Sequence, residues 1–276
     1  EPEPVNVKPP GKEGKGIFPA QRTDTAAASF PGNGRGDLFW IDAGFLQSYR
    51  PGQETAVPHG QPVVLDGALD EAEWAGAARE SLGSGAEIRL SRHEELLQIG
   101  VDGGVPGFPH VALARGDTVW VLHASAALGV IVYTRAPGGW HRVQAPAWEV
   151  RDPSLTGRAM EEREAYLRRH GWVASTVRMG DPGVAEFLID LGRFGPSPLR
   201  VATGFLPLEA EGAIQRWPAE ATDDVGTRLL FTGPMPEVLD FEPNVWGRLL
   251  VSGFEEETAR GGPSGPPAFS NERFPG

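Results

Sequence analysis

Residues 63–77 read Val-Val-Leu-Asp-Gly-Ala-Leu-Asp-Glu-Ala-Glu-Trp-Ala-Gly-Ala, and this stretch constrains the fold more than any other. Val63–Leu65 reads as a short strand, Asp66-Gly67 as a tight turn, and Asp70 onward as a capped helical turn. Asp70 can accept from the first free helical N–H groups, and Glu73, three residues later, can reach back to complete a capping box. Leu69 and Trp74 flank that cap at the spacing of a hydrophobic staple. The spacing predicts that Trp74 is pinned inward at the corner where a domain begins.

Downstream, apolar residues recur with strand periodicity. Ala86–Leu90 alternates with period two, and Leu96–Val101 follows after a polar turn at Ser91–Glu95. Thr118–His123, Gly129–Thr134 and Trp140–Val143 continue the pattern, the last after Pro137-Gly138-Gly139. Val184–Leu191, Arg200–Phe205 and Gly226–Phe231 read as later strands. One helix interrupts them. Asp152-Pro153 offers an N-cap and a first-turn proline, Glu164 and Arg168 stand at a helix-supporting spacing, and Gly171 ends the segment. Short strands with frequent turns predict an antiparallel β-sandwich with one inserted helix over residues 61–252. Trp74 and Trp120 are expected in its core.

The flanks differ in composition. Residues 1–60 form a Pro/Gly-rich arm that holds every lysine of the chain, Lys8, Lys12 and Lys15. The arm also carries Leu38, Phe39, Trp40, Ile41, Phe45, Leu46 and Tyr49, too many large apolar groups for a plain solvated linker. Residues 253–276 form a second Gly/Pro/Ser-rich tail with Phe269 and Phe274 spaced along it. These side chains are the candidate partner-binding residues.

Composition excludes several classes. A net charge of -12 opposes binding to phosphate backbones, so nucleic acid is not an expected partner. The absence of cysteine removes disulfides, thiolate catalysis and zinc–thiolate sites. No apolar run is long enough for a transmembrane helix. The six histidines, His59, His93, His110, His123, His141 and His170, lack tight metal-ligand spacing, and no nucleophile elbow or HExxH motif is present. Gly32–Asp37 reads as turn sequence rather than a phosphate loop, and the pairs Glu161-Glu162 and Asp223-Asp224 read as solvated faces. The expectation is a protein without catalytic residues, metal or cofactor.

The hydrophobic–Asp-Gly–x–Leu-Asp-Glu–x–x–Trp string resembles the opening of the family 9 carbohydrate-binding modules and their DOMON-like relatives. The resemblance extends over about residues 62–250. It takes in Ala86–Val101, Asp117–Trp120, Glu186–Asp190, Arg216-Trp217-Pro218 and Asp224-Val225-Gly226, in the family's order. It implies a β-sandwich with a non-catalytic role. Sugar-binding members clamp a sugar between aromatic faces; the candidate platforms in this chain are Trp140, Trp148 and Trp172. Haem b-binding members use Met and Lys as axial ligands. This body has no lysine, which leaves His123 with Met160 or Met179 for that alternative. Family members are usually exported, and a chain that starts at Glu1 fits a processed protein, so a periplasmic or extracellular, membrane-extrinsic location is expected. DOMON-like domains accompany electron-transfer and other membrane complexes. An accessory or scaffold subunit that docks onto other protein subunits, photosynthetic assemblies included, is therefore the leading expectation. A carbohydrate-binding module is the alternative, and a haem-carrying electron-transfer domain the third.

Overall fold

Strand-period segments close into two sheets. The computed structural model describes residues 52–251 except 70–71, 84, 155–156, 177–182, 195–198, 209–213 and 228–234. The strands are β1 (Glu54–Val57), β2 (Ala78–Gly83), β3 (Ala86–His93), β4 (Leu96–Asp102), β5 (Gly107–Arg115), β6 (Thr118–Ala124) and β7 (Leu128–Ala136). They continue as β8 (Gly139–Gln144), β9 (Trp172–Ala174), β10 (Val184–Asp190), β11 (Leu199–Pro207), β12 (Gln215–Trp217), β13 (Val238–Leu239) and β14 (Gly247–Val251). The helices are α1 (Gly157–His170), α2 (Leu191–Phe194) and α3 (Asp224–Thr227). The large sheet runs β1-β14-β11-β5-β6-β7-β8-β13 with β12 also on β11, and the small sheet runs β2-β3-β4-β10-β9. All pairings are antiparallel except β1 with β14.

Between the sheets, Ile88, Leu90, Leu97, Ile99, Phe187 and Ile189 of the small sheet pack against Val111, Leu113, Leu122, Val201 and Leu249 of the large one. The other face of the large sheet is covered too. Ala112, Val119, Val121, Ile131 and Tyr133 are buried with Val225, Met235, Leu239, Phe241 and Trp246 of the C-terminal part. A strand buried on both faces has no solvated side to alternate with. That is why Val119–Leu122 is an unbroken apolar run.

The opening segment covers the outer face of the small sheet. Trp74 is buried, but outside the space between the sheets. Its ring and Leu69 lie over Gly100 of β4, where an added Cβ would stand 2.7 Å from Leu69 Cδ2 and 3.1 Å from the indole. Opposite Gly100 in the ladder stands Glu186 of β10. Its Oε2 accepts the Gly67 N–H at 2.9 Å and its Oε1 the Trp74 Nε1–H at 3.4 Å. Arg89 of β3 adds a bond to the Leu69 carbonyl.

Several expectations change. Val63–Leu65 is irregular rather than a strand, and residues 72–76 form turns rather than a helical turn. Glu73 accepts from the Val64 N–H instead of closing a capping box; Asp70 lies outside the described residues. The helix begins at Gly157, because Asp152 is spent on an Asx turn to the Ser154 N–H and Arg163 clamps the carbonyls of Asp152 and Ser154. The Glu164–Arg168 pair forms at 3.5 Å and Gly171 bonds back to Leu167, as expected. Gly226-Thr227 belongs to α3, not to a strand; residues 228–231 lie outside the described set. The body starts earlier than residue 61, because Glu54–Val57 pairs with Arg248–Val251. Trp120 is half-buried, edge-on to Phe194 at 5.3 Å.

Two predictions follow from the seat of Trp74. Trp74→Ala should cost about 3–5 kcal/mol in denaturant unfolding, as for other buried large aromatics; wild-type stability would contradict its burial. Burial raises the Glu186 carboxyl from 4.5 to about 8, partly offset by the Gly67 N–H. A raised carboxyl stabilises the fold fully below its unfolded value and loses that contribution as pH climbs through its folded one. Wild type should therefore lose stability relative to Glu186→Gln between pH 4.5 and 8. Parallel pH profiles would contradict this.

Candidate functional site

The connection from β8 to α1 builds the one cleft that carries an exposed tryptophan among the candidates described. Glu149 closes a two-way backbone bridge with Leu128, its N–H and carbonyl bonding at 2.9 and 2.8 Å. This holds Trp148 on the sheet surface, where the six-membered part of the indole lies against Gly129 of β7. A Cβ there would come within 2.7 Å of ring atoms, so glycine is what admits the close approach. His123, paired with Gly129 across β6 and β7, meets Trp148 edge-on at 5.2 Å. Trp148 remains 38% exposed.

Val150 follows with φ +53, a left-handed backbone for a β-branched residue, and is buried in the sandwich core. Such strain costs on the order of 1–3 kcal/mol and persists only where surroundings fix it, here the Leu128–Glu149 bridge and the core packing. The chain then turns so that Arg151 and Asp152 face Arg158, Ala159 and Glu162 of α1. With Trp148, Glu149 and Val150 they enclose a cleft of about 430 Å³, within the size range of small-molecule sites. Glu149 is not available to a ligand, since Arg169 binds one of its oxygens and His170 approaches the other at 3.3 Å. Arg151 and Arg158 have no carboxylate partner among the described residues.

The other candidate platforms are closed. Trp140 is buried, its Nε1–H donating to the Phe241 carbonyl at 2.8 Å and its ring against Phe241. It anchors the C-terminal cover to the large sheet. Trp172 is wholly buried, stacked on Phe187 and edge-on to Tyr166. Neither presents a face to a sugar. Leu38, Phe39, Trp40, Ile41, Phe45, Leu46, Tyr49, Phe269, Phe274 and Met179 lie outside the described residues.

His123 is buried opposite His110 in the β5–β6 ladder, and Met160 sits exposed on α1. Burial, with the His110 neighbour, lowers His123 to about 3; burial lowers His110 to about 4 despite its contact with the Val225 carbonyl. Both imidazoles are neutral at ordinary pH. Asp223, Asp224, Asp240 and Glu242 border a second hollow of about 220 Å³ with Thr222. Asp223 accepts from the Glu242 N–H and Trp246 Nε1–H, and Asp224 from the Asp240 N–H, all at 2.7 Å. The Asp223 and Asp224 carboxylates thus tie the cover segment to itself. Among the described residues no group of three or more His, Asp or Glu is placed to hold a metal ion.

Sequence reading placed Trp148 beside the helix but missed that Arg151, Arg158 and Glu162 line the same cleft. The only local signal was two arginines flanking the Asp152-Pro153 turn. Comparison with known proteins found no matching family model, curated relative or solved structure.

The seat of Trp148 gives a direct check. Gly129→Ala should destabilise the protein by about 1–3 kcal/mol through overpacking, and the penalty should vanish in a Trp148→Ala background. Equal penalties in both backgrounds would place the indole elsewhere.

Proposed function

We propose that the protein is a non-catalytic, extracytoplasmic accessory subunit that docks onto other protein subunits through its terminal segments. One observation carries this reading. β1, which follows residues 1–50 in the chain, and β14, which precedes residues 252–276, pair side by side at one edge of the large sheet. The first and last described strands thus lie along the same edge. The broad sheet faces supply little alternative surface. The opening segment lies on one, and Ala221, Val225, Met235, Leu239, Phe241 and Trp246 on the other. Among the described residues no helix is long and apolar enough to cross a membrane. The apolar cluster Leu38–Tyr49 is the density of aromatic and aliphatic groups that supplies hot spots when buried in a partner.

The test is affinity isolation of the full-length chain from its native host. Trp40→Ala with Phe45→Ala should abolish co-purification of partner subunits and leave the melting temperature of the isolated protein unchanged. A lowered melting temperature would mean that the cluster packs on its own domain, and the docking reading would fail.

A second reading, carbohydrate binding, is favoured by the Trp148 cleft. A partly exposed indole beside charged side chains offers a stacking surface for a sugar ring with polar groups around it.

A further inference from the structure

We propose that the Trp148 cleft takes an acidic carbohydrate, a pyranose that carries a carboxylate; the proposal rests on the carbohydrate reading above. The lining decides the class. Its cations, Arg151 and Arg158, come from the two walls of the cleft, one from the segment before the helix and one from α1. Neither is neutralised within the described protein, although the chain as a whole is strongly acidic. Arg158 and Glu162 stand at the i,i+4 spacing of an ion pair, yet no such pair forms. A guanidinium left unpaired beside a cleft is suited to bidentate capture of a planar carboxylate.

The same lining carries Asp152 and Glu162, which would repel a polyanion or a run of acidic side chains. Glu162 suits a ligand that has many hydroxyl donors and one negative group, Asp152 being already engaged by the Ser154 N–H. The indole of Trp148 offers a hydrophobic surface for the C–H side of a sugar ring. It is held in place rather than free to swing, because Gly129 lies beneath it and His123 stands against its ring. The strained Val150 fixes the turn that brings Arg151 across from Arg158. Cation pair, hydroxyl acceptors and aromatic surface together describe a uronic acid residue better than a neutral hexose.

Titration calorimetry of the full-length chain with glucuronate- or galacturonate-containing oligosaccharides, and with neutral oligosaccharides of the same linkage, tests this. The acidic ligands should bind at least about tenfold more tightly, the worth of one charge-assisted contact. Arg151→Ala with Arg158→Ala should remove that preference, whereas Trp148→Ala should weaken binding of acidic and neutral ligands alike. Equal affinity for acidic and neutral sugars, or a preference that survives loss of both arginines, would overturn the proposal and leave the carbohydrate reading standing. Acetate or inorganic phosphate displacing the acidic sugar at similar concentrations would also overturn it, showing a simple anion site. No binding of any sugar would overturn both.

Discussion

A carboxyl group buried on the outside of a sheet is the contact on which the architecture turns. Glu186 projects from β10 away from the sandwich core, into a position that would be solvent in an ordinary two-layer fold. It is buried because the opening segment folds over it, and that segment is held because Glu186 accepts two of its N–H groups. Loss of the carboxyl would leave the Gly67 N–H and the indole N–H of Trp74 without this acceptor, which is costly for buried donors. The large sheet uses the same device with the roles exchanged. There the cover supplies the acceptors, the Phe241 and Pro236 carbonyls, which take the Trp140 N–H and the Tyr133 hydroxyl of the sheet, while Asp223 and Asp224 accept from N–H groups of the cover itself.

This arrangement explains what was legible in the sequence. β3, β4, β6, β7, β8, β10 and β11 could be read because each has a clear apolar run between turns. β5 escaped because Pro109 interrupts its run, and proline ordinarily argues against a strand flanked on both sides. It is nonetheless paired with β6 and β11. β1 and β14 escaped because their pairing joins residues nearly two hundred positions apart, as in the Glu54–Arg248 contact. Local pattern cannot register such a pair. Conversely, the residues that looked like a capped helix at the opening are bent into turns by bonds to β10 that local sequence does not reveal.

The candidate site was legible only in part, for the same reason. Trp140, Trp148 and Trp172 look alike in sequence, since each stands near a turn or helix end. Phe241, about a hundred residues onward, closes over Trp140, and Phe187 of a neighbouring strand takes Trp172. Trp148 alone of the three keeps an open face. Arg151 and Arg158 become neighbours of that face through the turn around Val150 and the delayed start of α1 at Gly157. Among the described residues both sheets carry a cover, and the Trp148 cleft and the β1–β14 edge lie outside those covers.

The contact that holds the opening segment can be measured site by site. Carbon-13 NMR of the side-chain carboxyl of Glu186, followed from pH 4 to pH 9, reports its ionisation directly, and the Gly67 amide proton reports the bond it makes. The structure predicts a single titration near pH 8, far above the ordinary 4.5, with the Gly67 amide shifting along the same curve. A carboxyl that titrates near 4.5, with a Gly67 amide indifferent to it, would contradict the buried contact and with it the account of how this sandwich is closed.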